Sequence, residues 1–267
     1  TTSAEIIKAL HNHVQVRLNY EDDSMRNKFA VLLNSMQIDS DKLEWIKDSV
    51  AYQWPRDPGP LFLMNKNGEQ KVIDFGWNNY GQGFVYNFPM TAFDSLFDRT
   101  DKRMASYLKL PVVSTTMVAE GGGIETNGKG VLMSIEETAL QRNPSKSLKE
   151  IENEYLRVTQ CKKMIWLKRM TLQDKALKGT ILDKWFSSNA NGHIDEVARF
   201  VNENTIALAK IDEKEKDNNP FSKADYEILE ECYSTLKNAT DINGKPFNII
   251  RFPCPDLNIY SRSYVLD

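Results

Sequence analysis

A chain of 267 residues with 41% hydrophobic, 27% charged and 10% aromatic side chains has enough apolar material for a sizeable core, which excludes global disorder. Its formal net charge of −3 offers no basic excess to a phosphate backbone, so general nucleic-acid binding is not expected. No stretch approaches the roughly 18 apolar residues of a membrane span, and none reads as a secretory leader.

In chain order, Thr2 and Glu5 form a capping-box pattern ahead of Ile6, Ile7 and Leu10, which predicts a helix. Residues 14–20 read as a strand. Residues 61–65 and 71–77 read as two more, with Asn67-Gly68 between them as a hairpin turn. Strands follow at 112–118 and 130–135. Ser147 and Glu150 cap a helix carrying Ile151, Tyr155 and Leu156. After a strand at 162–167 come two at 197–202 and 205–210, with Asn204 at the turn between them. The charged run 210–217 reads as a solvated loop. Ser222 and Asp225 give a looser cap before Tyr226, Leu229, Tyr233 and Leu236, and a last strand covers 247–252. Strand pairs alternating with single helices indicate an α/β or α+β fold, and a repeated strand–strand–helix–strand unit would fit, although the units share no obvious residues.

Three cysteines, Cys161, Cys232 and Cys254, are odd in number and widely spaced, which suggests neither a zinc site nor a disulfide framework and fits a reducing, cytoplasmic setting. No metal and no cofactor is expected.

Three segments look unlike scaffold. In Trp54-Pro55-Arg56-Asp57-Pro58-Gly59-Pro60, prolines stiffen the loop that carries Asp57; Arg56 and Asp57 are equally readable as a surface ion pair. In Glu120-Gly121-Gly122-Gly123-Ile124-Glu125, a carboxylate stands beside glycines that let another group approach closely, although a tight turn would look the same. In Asn191-Gly192-His193-Ile194-Asp195-Glu196, His193 and Asp195 are two apart and share a face if the segment is extended. A histidine beside a carboxylate is a proton donor and acceptor, or a satisfied core residue. Should Asp57, Glu120 and Asp195 gather, they would require a cation, and a planar guanidinium matches paired carboxylates.

Together and in this order, the three segments resemble the agmatine deiminase and bacterial-type peptidylarginine deiminase family, whose hallmarks are W-x-R-D-x-G-P, E-G-G followed by a D/N-G turn, and G-H-x-D followed by A-R-F. Asp74-Phe75-Gly76-Trp77-Asn78 and Ile165-Trp166-Leu167 also look familial. The resemblance implies a pentein fold, an α/β propeller of ββαβ modules, with residues 1–267 as one catalytic domain that is incomplete at both ends. It implies hydrolysis of a guanidino group, agmatine giving N-carbamoylputrescine and ammonia through a cysteine thiouronium intermediate. Conversion of peptidyl arginine to citrulline is the alternative, and a non-catalytic guanidine-binding module is the alternative of another class. Under the resemblance Asp57 and Asp195 grip the guanidinium, His193 moves protons, Glu120 lines the pocket and Trp54 packs on the substrate stem. The family's nucleophile lies in a C-terminal Gly-rich segment with no counterpart before Asp267. Cys254, between Pro253 and Pro255, is the one odd candidate to replace it. The partner implied is a small guanidine, agmatine or arginine-like, with neither nucleic acid nor membrane and with a homo-oligomer as the common default for a soluble enzyme.

Overall fold

The structure is a computed structural model that describes residues 2–48, 50, 54–81, 91–176, 182 and 189–255. Backbone proximity divides the chain into two compact units, residues 1–55 and residues 56–267.

In the first unit, α1 (Thr2–Leu10), β1 (Arg17–Tyr20), α2 (Asp23–Ser35) and β2 (Glu44–Lys47) follow one another, with β1 and β2 paired in parallel. Ala4 and Ile7 of α1 and Leu33 of α2 bury themselves with Ile38 and Leu43 as a small core. The helix begins at Thr2, so Thr2 lies in its first turn rather than capping it.

The second unit is three copies of one device. β3 (Leu61–Met64) and β4 (Gln70–Gly76) form an antiparallel hairpin; α3 (Ala92–Phe97) and α4 (Thr100–Leu108) cross over; β5 (Val112–Val118) returns parallel to β4. The order recurs as β6 (Glu125–Thr126), β7 (Val131–Ile135), α5 (Glu136–Arg142), α6 (Leu148–Thr159) and β8 (Lys163–Leu167). It recurs again as β9 (Ala198–Asn202), β10 (Thr205–Lys210), α7 (Pro220–Asn238) and β11 (Asn248–Pro253). In each three-stranded sheet the second strand of the module is central. This is the strand–strand–helix–strand repeat expected from the pattern.

The hairpins share a residue after all. The Asn65 side-chain oxygen accepts from the backbone N–H groups of Asn67 (2.9 Å) and Glu69 (3.0 Å). Asn127 does the same for Lys129 (2.9 Å) and Val131 (3.0 Å), and Asn202 for Asn204 (2.9 Å). An asparagine oxygen standing in for a backbone carbonyl is what such a turn requires.

The first and second sheets each pack on a helix of the next module. Ile73, Phe75 and Met117 of the first sheet meet Ile151, Tyr155 and Val158 of α6. Val131, Met133, Ile135 and Ile165 of the second sheet meet Ile228, Leu229, Cys232 and Leu236 of α7, together with Ile206 and Leu208 of β10. Burying these side chains contributes about 1.5–3 kcal/mol each and aligns the modules. α6 starts with the expected capping box, Ser147 and Glu150 each accepting from the other's backbone N–H (2.8 and 3.3 Å). α7 does not start as expected: Asn219 is its cap, accepting from Ser222 N (2.8 Å), with Pro220 in the first turn where its missing N–H costs nothing. Ser147→Ala and Asn219→Ala should each lower stability by about 1 kcal/mol, read as a shift in the urea unfolding midpoint.

Candidate active site

The three chemistry-bearing segments occupy one equivalent position. Each is the stretch that enters a module ahead of its first strand: residues 56–60 before β3, 120–124 before β6, and 191–197 before β9. The packing of consecutive modules brings these entrances together within the second unit.

At their meeting point lies His193, its side chain 3% exposed. Its Nδ1 is 3.5 Å from Asp57 Oδ1 and 3.9 Å from Asp195 Oδ1, and its Nε2 is 3.7 Å from Glu120 Oε2. Nε2 is buried and has no hydrogen-bond partner among the described residues. Asp57, Glu120, His193 and Asp195 are thus brought together, a gathering that the residue types alone left open. Residues 194–196 form a 3-10 turn rather than an extended strand, so the turn, not strand alternation, aims Asp195 at the imidazole.

Several groups that the sequence did not single out hold this arrangement. Arg142, at the end of α5, donates from Nε to Glu120 Oε1 (2.8 Å), with both side chains 1% exposed. Its Nη2 donates to the carbonyls of Ala190 (2.9 Å) and Asn191 (3.1 Å). The Asp174 carboxylate accepts three successive backbone N–H bonds, from Asn191 (3.1 Å), Gly192 (2.7 Å) and His193 (2.8 Å). Successive N–H groups can converge on one carboxylate because Asn191 (φ 60°) and Gly192 (φ 100°) are left-handed, which curls the backbone into a concave nest. Asp57 accepts from Tyr80 Oη (2.9 Å) and from Gly122 N (3.2 Å). Gly122 is there for room: a Cβ would stand 2.3 Å from His193 Nδ1 and 2.8 Å from Asp57 Oδ1.

A second ion cluster ties the same three segments together. Glu125 Oε1 is 3.0 Å from Arg56 Nη2 and 3.0 Å from Arg199 Nη2, and Arg56 Nε is 3.6 Å from Asp195 Oδ2. Arg56 therefore pairs across the modules and not with its neighbour Asp57, which overturns the surface-pair reading of that loop.

The charges interact as their placement dictates. Burial alone would raise Glu120, yet the Arg142 guanidinium and the imidazole outweigh it and hold the carboxyl at about 2. Burial alone would depress His193, yet Glu120, Asp57 and Asp195 raise it above its ordinary value and favour the imidazolium. Asp57 is raised by burial, against the pull of His193 and Tyr80. Three carboxylates thus face one imidazole, with Glu120 also paired to Arg142 and Asp195 to Arg56.

Trp54 and Cys254 complete the expected set, and Cys254 lines a surface cavity together with Asp195 and Glu196. Trp54 belongs to the first unit and is 59% exposed. Cys254 follows β11, its N–H donating to Lys210 O (2.7 Å); burial and the Asp225 charge push its thiol up, the reverse of what a nucleophile needs. Burial likewise pushes Cys232 up to about 12.

Arg142→Met should destabilise the protein by about 3–5 kcal/mol at neutral pH, because it strands a buried carboxylate. Glu120 has an ordinary value of 4.5 and is held at about 2, so its stabilisation is fully present above 4.5 and is lost as pH falls toward 2. Urea unfolding at a series of pH values should show the penalty shrinking through that window, and the double variant Glu120→Gln/Arg142→Met recovering most of it.

No described helix is long and apolar enough to cross a membrane. The chain resembles a candidate agmatine deiminase of Listeria monocytogenes, 30% identical over 84% of this chain and 56% of the relative. It likewise resembles one of Latilactobacillus sakei, 30% identical over 95% of this chain and 62% of the relative. Its fold is that of the Enterococcus faecalis agmatine deiminase, with a TM-score of 0.75 at 22% identity over 95% of this chain and 62% of that one. It is also that of the C. jejuni agmatine deiminase with substrate bound, with a TM-score of 0.70 at 23% identity over 95% of this chain and 64% of that one. The chain spans between 56% and 62% of the length of the two curated relatives. The family of Porphyromonas-type peptidyl-arginine deiminases matches residues 1–265, and the chain belongs to that family.

Proposed function

We propose that this chain carries the guanidinium-binding acids and the proton-transfer histidine of an agmatine deiminase, which hydrolyses agmatine to N-carbamoylputrescine and ammonia. The observation that carries the reading is the buried imidazole of His193 with carboxylate oxygens at 3.5, 3.7 and 3.9 Å. Residues 1–267 act in this reading as one catalytic domain.

Asp57 and Asp195, both beside Nδ1 of His193, grip the guanidinium N–H groups and fix the plane of the cation. A cysteine thiolate attacks the guanidinium carbon. The C–N bond to one terminal nitrogen breaks, and that nitrogen leaves as ammonia with the proton supplied by His193, whose raised pKa keeps it loaded for the purpose. Now neutral, His193 takes a proton from water as the hydroxide displaces the thiolate, leaving a ureido product and restoring both groups. Glu120 holds charge against Nε2 throughout and, being locked to Arg142, does not compete for the substrate. The thiolate is expected from the family's C-terminal Gly-rich segment, since Cys232 and Cys254 are both pushed away from the thiolate form.

The test uses the protein expressed from its full gene. Ureido product is measured with agmatine, free arginine and an arginine peptide, and affinities are measured by calorimetry. His193→Ala should retain the fold by circular dichroism and lower kcat about 10²–10⁴-fold. Asp57→Ala should remove measurable agmatine binding. Unchanged binding in both variants sinks the site assignment. Turnover of the peptide and not of agmatine moves the activity to peptidylarginine, and binding without ammonia release moves it to a guanidine-binding module.

A further inference from the structure

After β4 the backbone makes a run of three left-handed residues, Asn79 (φ 53°), Tyr80 (φ 57°) and Gly81 (φ 68°). L side chains adopt that conformation singly and at a cost, and such strain collects where function over-determines the geometry. The run delivers the Tyr80 phenol to Asp57, Oη donating to Oδ2 at 2.9 Å.

The surroundings leave Tyr80 little freedom. Its ring is 8% exposed, sits edge-on to Trp77 at 4.8 Å and lies 5.5 Å from the His193 ring. Asn191, which belongs to the His193 turn, donates from Nδ2 to Tyr80 O (2.9 Å), and Gly81 N donates to Asn78 Oδ1 (2.9 Å). The strained run and the histidine turn are therefore built on one hydrogen bond. Asp57 is left with Oδ2 committed to Tyr80 and Oδ1 turned toward Gly122 N (3.2 Å) and the imidazole (3.5 Å).

We infer that Tyr80 is a positioning residue of the guanidine site: its phenol, donating to Oδ2, orients Asp57 so that its other oxygen faces the cation. The inference rests on the guanidine-binding reading. The charges facing Asp57 from the neighbouring elements are His193, Asp195 and Glu196 on the third entrance and Glu120 on the second, with Arg142 behind it on α5. Asp101 of α4 lines the small cavity shared with Asp57. The acids among them push Asp57 toward protonation, and burial pushes the same way. Tyr80 and Gly122 donate hydrogen bonds that favour the charged form, and the phenol is the one a conservative substitution can remove. A tyrosine present only to fill space would leave Asp57's protonation unaltered when its hydroxyl is deleted.

The experiment compares the full-length protein with its Tyr80→Phe variant, which keeps the ring and its contacts. Agmatine affinity is measured by calorimetry from about pH 5 to about pH 8, and the Asp57 carboxyl is titrated by 13C NMR without ligand. In Tyr80→Phe the acid limb of the affinity curve should move up by about one pH unit, giving roughly tenfold weaker binding on that limb and convergence with wild type above it. The ligand-free Asp57 titration should move the same way. Replacing Tyr80 with 3-fluorotyrosine, a more acidic donor, should move both the other way. Superimposable titrations, or an affinity loss equal at every pH, overturn the inference. If wild type binds no agmatine at any pH the function reading falls, while the ligand-free titration still decides for or against Tyr80.

Discussion

Everything at the centre of the second unit depends on one buried ion pair, Glu120 with Arg142. Each partner is shielded from water, and the low dielectric around them makes either one alone costly. A buried pair is weak evidence of net stability, because a packed apolar pair could match it. What it supplies is direction. Arg142 spends one nitrogen on Glu120 and another on the carbonyls of Ala190 and Asn191, so the end of one helix fixes the entrances of two modules at once. The free oxygen of Glu120 then has only one place to face, the imidazole of His193.

Around that pair, each entrance, taken with the start of the strand it leads into, contributes twice. Asp57, Glu120 and His193 turn inward, and Arg56, Glu125 and Arg199 meet in an outer cluster centred on the Glu125 carboxylate. The outer cluster sets two half-exposed guanidiniums on a buried carboxylate, Glu125, and connects the same three backbones a second time. Asp195 touches both clusters, lying 3.9 Å from His193 and 3.6 Å from Arg56. The result is an acidic site whose carboxylates favour the imidazolium form of His193.

Much of this was legible from residues alone. Nine strands announced themselves by β-branched and aromatic runs, and the module order followed from their spacing with the helices between. Other elements did not show: β6 has two residues, β2 is bounded by the charged Glu44 and Lys47, and α2, α3, α4 and α5 lack a long apolar stripe. Their making depends on tertiary partners, as does the cap of α7, where Asn219 took the place read for Ser222. Within the site, Asp57, Glu120, His193 and Asp195 stood out by chemistry and by their glycine and proline company. Arg142, Asp174 and Tyr80 did not, because a helix-end arginine, a loop aspartate and a tyrosine after a strand carry no local mark. Only the fold shows that all three are buried and that each bonds to an inner carboxylate or to the turn that carries His193. The hairpin asparagines were visible at 65, 127 and 202, but the repeat they mark was hidden by the unlike residues around them.

Building one site from the entrances of three successive modules has a consequence for how the protein comes off the ribosome. Asp57 and Glu120 emerge well before His193, and until the third module is made they have no imidazole to face. Their carboxylates stay hydrated and their segments stay open, since dehydrating them without His193 and the turn at 191–193 would be costly. The packing of α7 over the second sheet completes the third module, whose entrance carries His193. The imidazole and the acids that face it are thus brought together late, and a chain arrested early presents ordinary solvated acids.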